Sequence, residues 1–360
     1  MLTENTDRMT ILPPPNRQTA IIVIIPVFNC EKYLKEAVDS VLGQPYQKIS
    51  IVLVDDGSTD GSGQLCDDLA SQNDRIVVIH QENAGVSAAR NAGIEYIASS
   101  YGKDCYIAFL DADDGWTENF FDKNIIELLT EKYDLIGFQH CNCDNRLRPT
   151  ESPANMESGL HTGGQSSVWI HAKQAFMAMF YSCRFLMEND IRFFEELKYS
   201  EDKIFSMQCM YLADSIYLEN KLLYLYRHAG DSAMSRRQHG IPYFVPIIDG
   251  YLKLDSLMRR KKDGRLPLTE ARLMASIYIM DMIDEHCNML RSKKELDALF
   301  ADRPHYISIL EASGEYSDLK PNAAYIQYKK SPRRYIIQNN LNGGIKACKK
   351  IIRKLHYLAK

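Results

Sequence analysis

No run of apolar residues in this chain approaches the roughly 18 that a membrane-crossing helix needs; the longest is Ala20 to Val27. The first ten residues carry Glu4 and Asp7 and lack the basic-then-apolar order of a secretory signal, so a cytoplasmic protein is expected. Gly-x-Gly-x-x-Gly does not occur, nor does Gly-x-x-x-x-Gly-Lys-Ser/Thr, which removes the usual support for dinucleotide and P-loop phosphate binding. The nine cysteines are odd in number and show no framework spacing, which suits a reducing compartment. Cys141-x-Cys143 beside His140 has no second Cys/His pair nearby, so core thiols are the stronger reading and zinc the weaker. Internal repeats and low-complexity stretches are also missing. What remains is an ordinary globular composition, 45% hydrophobic and 25% charged over 360 residues, which excludes a disordered or collagen-like chain.

The net charge of −4 hides an asymmetry. From Tyr328 onward there are ten basic residues and no acid, which leaves −14 on the remainder by difference. Within this tail Ile345, Cys348, Ile351, Ile352, Leu355 and Leu358 recur at helical spacing. Such a helix suits an anionic membrane surface, on the inner face of the plasma membrane for a cytoplasmic protein, or packing on the protein's own core. Nucleic acid is the weaker partner, because no binding module accompanies the charge.

The first 140 residues alternate short β-rich runs with helical patterns, the mark of βαβ units and a mostly parallel sheet. Strands are predicted at Ile21 to Ile25, Ile49 to Val54, Ile76 to Ile79 and Tyr106 to Leu110. Helices are predicted at Tyr33 to Leu42 with Asn29 as cap, from the Asp55 to Asp60 turn to about Ser71, and from Val86 to about Ala98. Each strand ends in a polar loop, and in an open α/β sheet ligands gather at those carboxyl ends. Trp169 to Phe180 and Tyr181 to Glu188 read as helices with aromatic faces. Trp169, Phe176 or Tyr181 could border a sugar site, although such a stripe is more often core. Thr150 to Ser167 reads as a mobile loop over the crevice. Tyr251 to Arg260, Leu268 to Cys287 and Lys293 to Ala301 read as helices.

The fourth strand delivers Asp111-Ala112-Asp113-Asp114. Three carboxylates this close repel one another unless a cation or donors compensate, and an oxygen-only set points to Mg²⁺ or Mn²⁺. A solvated acidic turn is the bland alternative.

Four stretches now stand together: Ile24-Ile25-Pro26-Val27-Phe28-Asn29, Val54-Asp55-Asp56-Gly57-Ser58-Thr59-Asp60, Gln81 to Asn91, and Phe109 to Asp114. In composition, order and spacing they resemble the family-two inverting glycosyltransferases of bacterial polysaccharide assembly. Farther on, Ile191-Arg192-Phe193 and Tyr199 to Phe205 resemble that family's acceptor-side signature, and Leu223 to Arg227 the segment closing its catalytic domain. The resemblance implies a GT-A-like, Rossmann-type α/β domain followed by a mainly helical C-terminal region. The expected boundaries are an extension at 1–18, a catalytic domain at 19–238 with donor half 19–115 and acceptor half 116–238, and a helical region at 239–360 ending in the basic tail.

The resemblance also implies roles. Pro26 and Asn29 belong to the loop touching the donor's base, and Asp55 to the carboxylate accepting the uracil N–H, while Asp56 could equally cap a helix. Asn83 and Arg90 reach the ribose or diphosphate, and Asp111 the ribose or metal-bound water. Asp113 holds Mn²⁺ or Mg²⁺ directly, with His228 a further candidate ligand. Inverting transfer to a hydroxyl needs a base, and Asp202 fits, with Glu201 as neighbour or substitute. The partners so implied are a nucleoside diphosphate sugar and a glycan or lipid-linked glycan. Two rivals are a haloacid-dehalogenase-like phosphatase, disfavoured by Gly115 two residues after Asp113, and an inactive nucleotide-sugar-binding scaffold.

Overall fold

The computed structural model describes residues 20–153, 156–162, 176–227, 240–261, 269–288, 293–312 and 329–330. The chain divides into two compact units, Met1–Arg236 and Arg237–Lys360.

The first unit is built on one nine-stranded sheet. Strand β1 (Ile21–Val27) is buried at every residue but Pro26, and β2 (Ile49–Asp56) is buried throughout. Runs of β-branched residues without alternation are what a parallel strand covered on both faces requires. β2 pairs with β1 on one side and with β3 (Ile76–Gln81) on the other, both parallel, and β4 (Tyr106–Phe109) pairs parallel with the opposite edge of β1. The chain thus steps outward from β1 to β3 and returns to the far side of β1. That reversal opens a crevice at the carboxyl ends of β1 and β4, where ligands of such sheets bind.

Three helices complete this half: α1 (Glu31–Leu42), α2 (Ser62–Gln72) and α3 (Val86–Ser100). α3 lies so close to β1 that a Cβ on Gly93 would stand 2.8 Å from the Ile24 side chain. α1 begins earlier than the sequence reading, and Asn29 does not cap it. Cys30 occupies the N-cap without a side-chain bond, and its N–H donates to Ser62 Oγ at 2.8 Å.

Beyond β4 the sheet becomes mixed. β5 is Gly115–Trp116, α4 is Lys123–Thr130, β6 is Leu135–Cys143, β7 is Gly159–His161, β8 is Met179–Ser182 and β9 is Ile216–Arg227. The order is β3-β2-β1-β4-β8-β6-β9-β5, with β7 on β9. β8 runs antiparallel to both β4 and β6, whereas β9 runs parallel to β6. This corrects the helices expected across Phe176 to Glu188. Phe176–Ala178 is a single 3-10 turn, Met179–Ser182 is a central strand, and only Cys183–Glu188 (α5) is helical. A short apolar segment buried on all sides has no period to distinguish strand from helix. Phe176 and Tyr181 are core, not borders of a sugar site. They join Phe193 and Phe205 around Phe109, each with ring centroids 5.3–5.6 Å from it. This aromatic block sits directly behind the acidic turn. Burying each such ring contributes about 1.5–3 kcal/mol, so the turn rests on one of the firmest parts of the fold. The last helix of this unit is α6 (Glu201–Leu212).

The second unit is helical where described: α7 (Ile241–Lys261), α8 (Thr269–Asn288), α9 (Lys293–Asp302) and α10 (Pro304–Ala312). Tyr251, Leu254, Ala275, Ile279 and Ile283 are buried in it. Asp255, also buried, accepts from Arg259 Nε and Arg272 Nε at 2.9 Å each. Among the described residues no helix is long and apolar enough to cross a membrane. The tail's apolar stripe and Trp169 lie outside the described residues, as do 154–155 and 163–167 of the segment expected to be a mobile loop; its described part is tied down instead, with Thr150 N donating to the Asn142 carbonyl and Gly159–His161 forming β7 on β9.

Candidate active site

The loops after β1, β2 and β3 are bound to one another. Asn29, at φ 52°, accepts at Oδ1 from Thr59 N (2.8 Å) and Asp60 N (3.3 Å), and its own N–H donates to Ser58 Oγ. Its side chain therefore joins two loops, which leaves Phe28, a neighbour the sequence reading passed over, 47% exposed at the mouth. Pro26 is half-buried in β1, in register with Val54. Asp55 is buried, accepts from Ser58 N at 3.1 Å, and stands 2.9 Å from His80 Nδ1. Asp56, also buried, accepts from Gln81 Nε2, Ala84 N and Gly85 N at 2.7–2.9 Å. It ties down the entry to α3 rather than capping α2, whose N-cap is Gly61. Gly57, at φ 70°, lets the second loop approach the third, since a Cβ there would meet Asn83 N at 2.8 Å. Asn83 itself is exposed.

The acidic turn is held from behind by β9. Tyr224 OH donates to Asp114 Oδ2 at 2.5 Å and accepts from Asp111 N at 3.2 Å. Arg227, 2% exposed, donates from its backbone N–H to Asp114 Oδ1, from Nε to the Asp113 carbonyl, from Nη1 to the Asn145 carbonyl and from Nη2 to Glu36, all within 2.7 Å. Its guanidinium also lies over the Tyr33 ring, 4.6 Å from the centroid. Asp114 is thus a structural carboxylate. Burial, then the charges of Asp111 and Asp113, lift it well above the usual carboxylate range, and the bonds from Tyr224 and Arg227 pull the other way.

The other side of the turn is held by Arg90. This arginine is 3% exposed, and its Nη2 donates to Asp111 Oδ1 at 2.8 Å while Nη1 reaches Glu201 Oε1 at 3.4 Å. Its guanidinium lies over Phe176 and Phe193 at 4.6 and 5.3 Å. Both arms of the fork are engaged by the protein, so the structure uses Arg90 as a bridge from the acidic turn to the first residue of α6. Asp202 follows on that helix; its Oδ1 accepts from Lys203 N at 2.7 Å. Half-buried Tyr226 feels both groups: burial first, then Asp114, Asp111, Asp113 and Asp202, raise its phenol. Asp202 and the acidic turn therefore share one neighbourhood.

Asp113 is the carboxylate of the turn best suited to an ion. Burial, then Asp111, raise it, and no side-chain donor among the described residues reaches it. Among the described residues no three His, Cys, Asp or Glu side chains form a ligand set by themselves. Asp113 with Asp111 offers hard oxygen ligands that a diphosphate and water would complete, which fits Mg²⁺ or Mn²⁺. His228 lies outside the described residues. Cys141 and Cys143 are buried with Leu225, as core thiols. Sequence reasoning missed Arg227 and Tyr224 as supports, and His80. No local signal distinguishes them, because their partners lie 13 to 191 positions away.

Residues 22–181 match the profile of Glycosyl transferase family 2. The chain is 34% identical to glycosyltransferase GlyG of Streptococcus pneumoniae over 249 residues, 65% of this chain and 78% of that one. It is 30% identical to the uncharacterized glycosyltransferase EpsJ of Bacillus subtilis over 245 residues, which span 65% of this chain and just under two thirds, 66%, of EpsJ. Among solved structures it resembles S. aureus TarS 1-349 in complex with UDP-GlcNAc, with a TM-score of 0.59 and 20% identity over 89% of each chain, a likeness of fold. With its GT-A arrangement of sheet and acidic turn and this extent of shared sequence, the chain belongs to glycosyl transferase family 2.

Proposed function

We propose that this glycosyltransferase moves a sugar, with inversion, from a UDP-linked donor to a hydroxyl of a glycan or lipid-linked glycan, with Mn²⁺ or Mg²⁺ at Asp113. The observation that carries the reading is the Arg90 bridge, which ties the acidic strand end to the helix bearing Glu201 and Asp202. UDP and UDP-GlcNAc occur in complexes of TarS, and two of the relatives, EpsJ and GlyG, are named glycosyltransferases.

In this reading Asp55 accepts the N–H of the base and Phe28, exposed at the mouth, covers its face. Asn83 and Asp111 face the ribose. When bound at Asp113, a divalent ion supplies charge neutralisation for the leaving nucleoside diphosphate. Arg90 holds Asp111 and Glu201 apart from the acceptor's proton. Asp202, free of an ion pair among the described contacts, takes that proton as the hydroxyl attacks the anomeric carbon. Glu201 is then a positioning residue. The ten basic charges after Tyr328 bring the enzyme to an anionic membrane surface where a lipid-linked acceptor resides.

The test is Asp202→Asn. Sugar transfer should fall by about 100-fold or more, the usual contribution of a general base, while UDP binding with Mn²⁺ stays at the wild-type level. A variant with full transfer removes the base assignment, and a wild type that binds no UDP removes the donor.

A further inference from the structure

His80 ends β3 in register with Asp55 and stands between two acids, its Nδ1 2.9 Å from Asp55 Oδ2 and its Nε2 3.0 Å from Asp67 Oδ1 on α2. Nothing above gives this residue a role. Asp55 is 6% exposed, and as a carboxylate it only accepts hydrogen bonds. Its Oδ1 accepts from Ser58 N at 3.1 Å, which uses half of that oxygen's capacity. Its Oδ2 is enclosed: a Cβ on Gly63 would stand 2.9 Å from it, and His80 fills the remaining side.

We propose that His80 is the positioning residue for base recognition: held by Asp67, it pins Asp55 Oδ2 and keeps the carboxylate an acceptor, so that Oδ1 selects a base presenting an N–H. The proposal rests on the UDP-donor reading. Burial opposes a charged imidazole, but hydrogen bonds and charges from Asp67 and Asp55 outweigh it and raise His80 above its ordinary value, in keeping with a ring that faces a carboxylate oxygen at each nitrogen. The chemistry sets the selectivity. Uracil offers N3–H to an ionised carboxylate, whereas cytosine presents a lone pair at N3 and is repelled. Without His80 the Asp55 carboxylate keeps one donor and its Oδ2 is no longer held, so Oδ1 is less firmly aimed at the base and the preference for an N–H weakens.

The experiment is calorimetric titration of UDP and of CDP, each with Mn²⁺, into wild type, His80→Ala, His80→Gln and Asp67→Asn. His80→Ala should weaken UDP binding about tenfold, the size of a lost charge-assisted hydrogen bond, and narrow the UDP-to-CDP ratio. His80→Gln, whose amide N–H can reach Asp55, should recover part of both. Asp67→Asn, at a side chain 51% exposed, should shift both in the same direction by less, and it decides the matter if His80→Ala does not fold. An unchanged UDP-to-CDP ratio in these variants, with UDP-selective wild type, overturns the role of His80 alone. A wild type that binds neither nucleotide overturns the donor reading with it.

Discussion

Replacing Arg90 by methionine tests whether the bridge holds the site together electrostatically. Methionine keeps most of the apolar contact with Phe176 and Phe193 and removes the charge that Asp111 and Glu201 share at 2.8 and 3.4 Å. Glu201 is 14% exposed and Asp111 27%, so neither can be fully rehydrated without moving α6 or the turn. Removing one partner of such a buried pair costs about 3–5 kcal/mol, because the remaining charge is left uncompensated. Burial already raises Glu201 above the usual carboxylate range, and Arg90 is the largest influence pulling it down. In the variant the folded-state value rises further above the unfolded one. The native state then binds more protons than the unfolded state between those two values, so its stability falls as pH rises through that window. Urea denaturation of Arg90→Met should therefore show a larger loss, relative to wild type, at pH 8 than at pH 5. The double variant Arg90→Met, Glu201→Gln should regain part of the loss at pH 8, since it removes the stranded charge. A loss that is the same at both pH values, with no recovery in the double variant, would refute the electrostatic account and leave packing as the cause.

Four further outcomes are expected. Tyr224→Phe removes the hydroxyl shared by Asp114 and Asp111 N, which should cost about 1–3 kcal/mol in urea denaturation and weaken the Mn²⁺-dependent part of UDP binding. Gly93→Ala gains helix propensity but drives a methyl to within 2.8 Å of Ile24, fully buried in β1, so a net loss on the order of 1–2 kcal/mol should appear in the same assay. Deleting residues 331–360 should abolish co-sedimentation with anionic vesicles and leave UDP affinity unchanged; retained sedimentation would exclude the basic tail as the contact. EDTA should leave the melting temperature of donor-free protein unchanged and lower it in the presence of UDP, as a ligand-linked ion requires.

The donor half was legible because its signals are local. β1 to β4 are short apolar runs, rich in β-branched residues in β1 to β3, and the loops after them carry the turn residues that end a strand. The acidic turn could be read for the same reason: three acids after a buried strand have few explanations. β8 could not, since Met179-Phe180-Tyr181-Ser182 is covered on every side and carries no alternation. Site roles failed where they depend on distant partners. Asp55 and Asp56 are adjacent in sequence and equally acidic, yet one meets His80 and Ser58 while the other accepts from Ala84 and Gly85. Only the packing of β3 and α3 against β2 separates them.

The two buried arginines explain how so acidic a turn can exist before any donor arrives. Arg90 takes Asp111 from the α6 side, and Arg227 takes the Asp113 carbonyl and, through its backbone, Asp114 from the β9 side. Each guanidinium also serves a further acid, Glu201 for Arg90 and Glu36 for Arg227. Among the described residues no side-chain donor reaches Asp113, which feels the nearby positive charge of Arg227. With Asp111 paired to Arg90 and Asp114 bonded to the Tyr224 hydroxyl and the Arg227 N–H, Asp113, raised by burial and then by Asp111, is the carboxylate of the turn best placed to take a cation. In the proposed mechanism that cation is an ion whose remaining ligands a diphosphate supplies, which would couple ion binding to donor binding and leave folding independent of both.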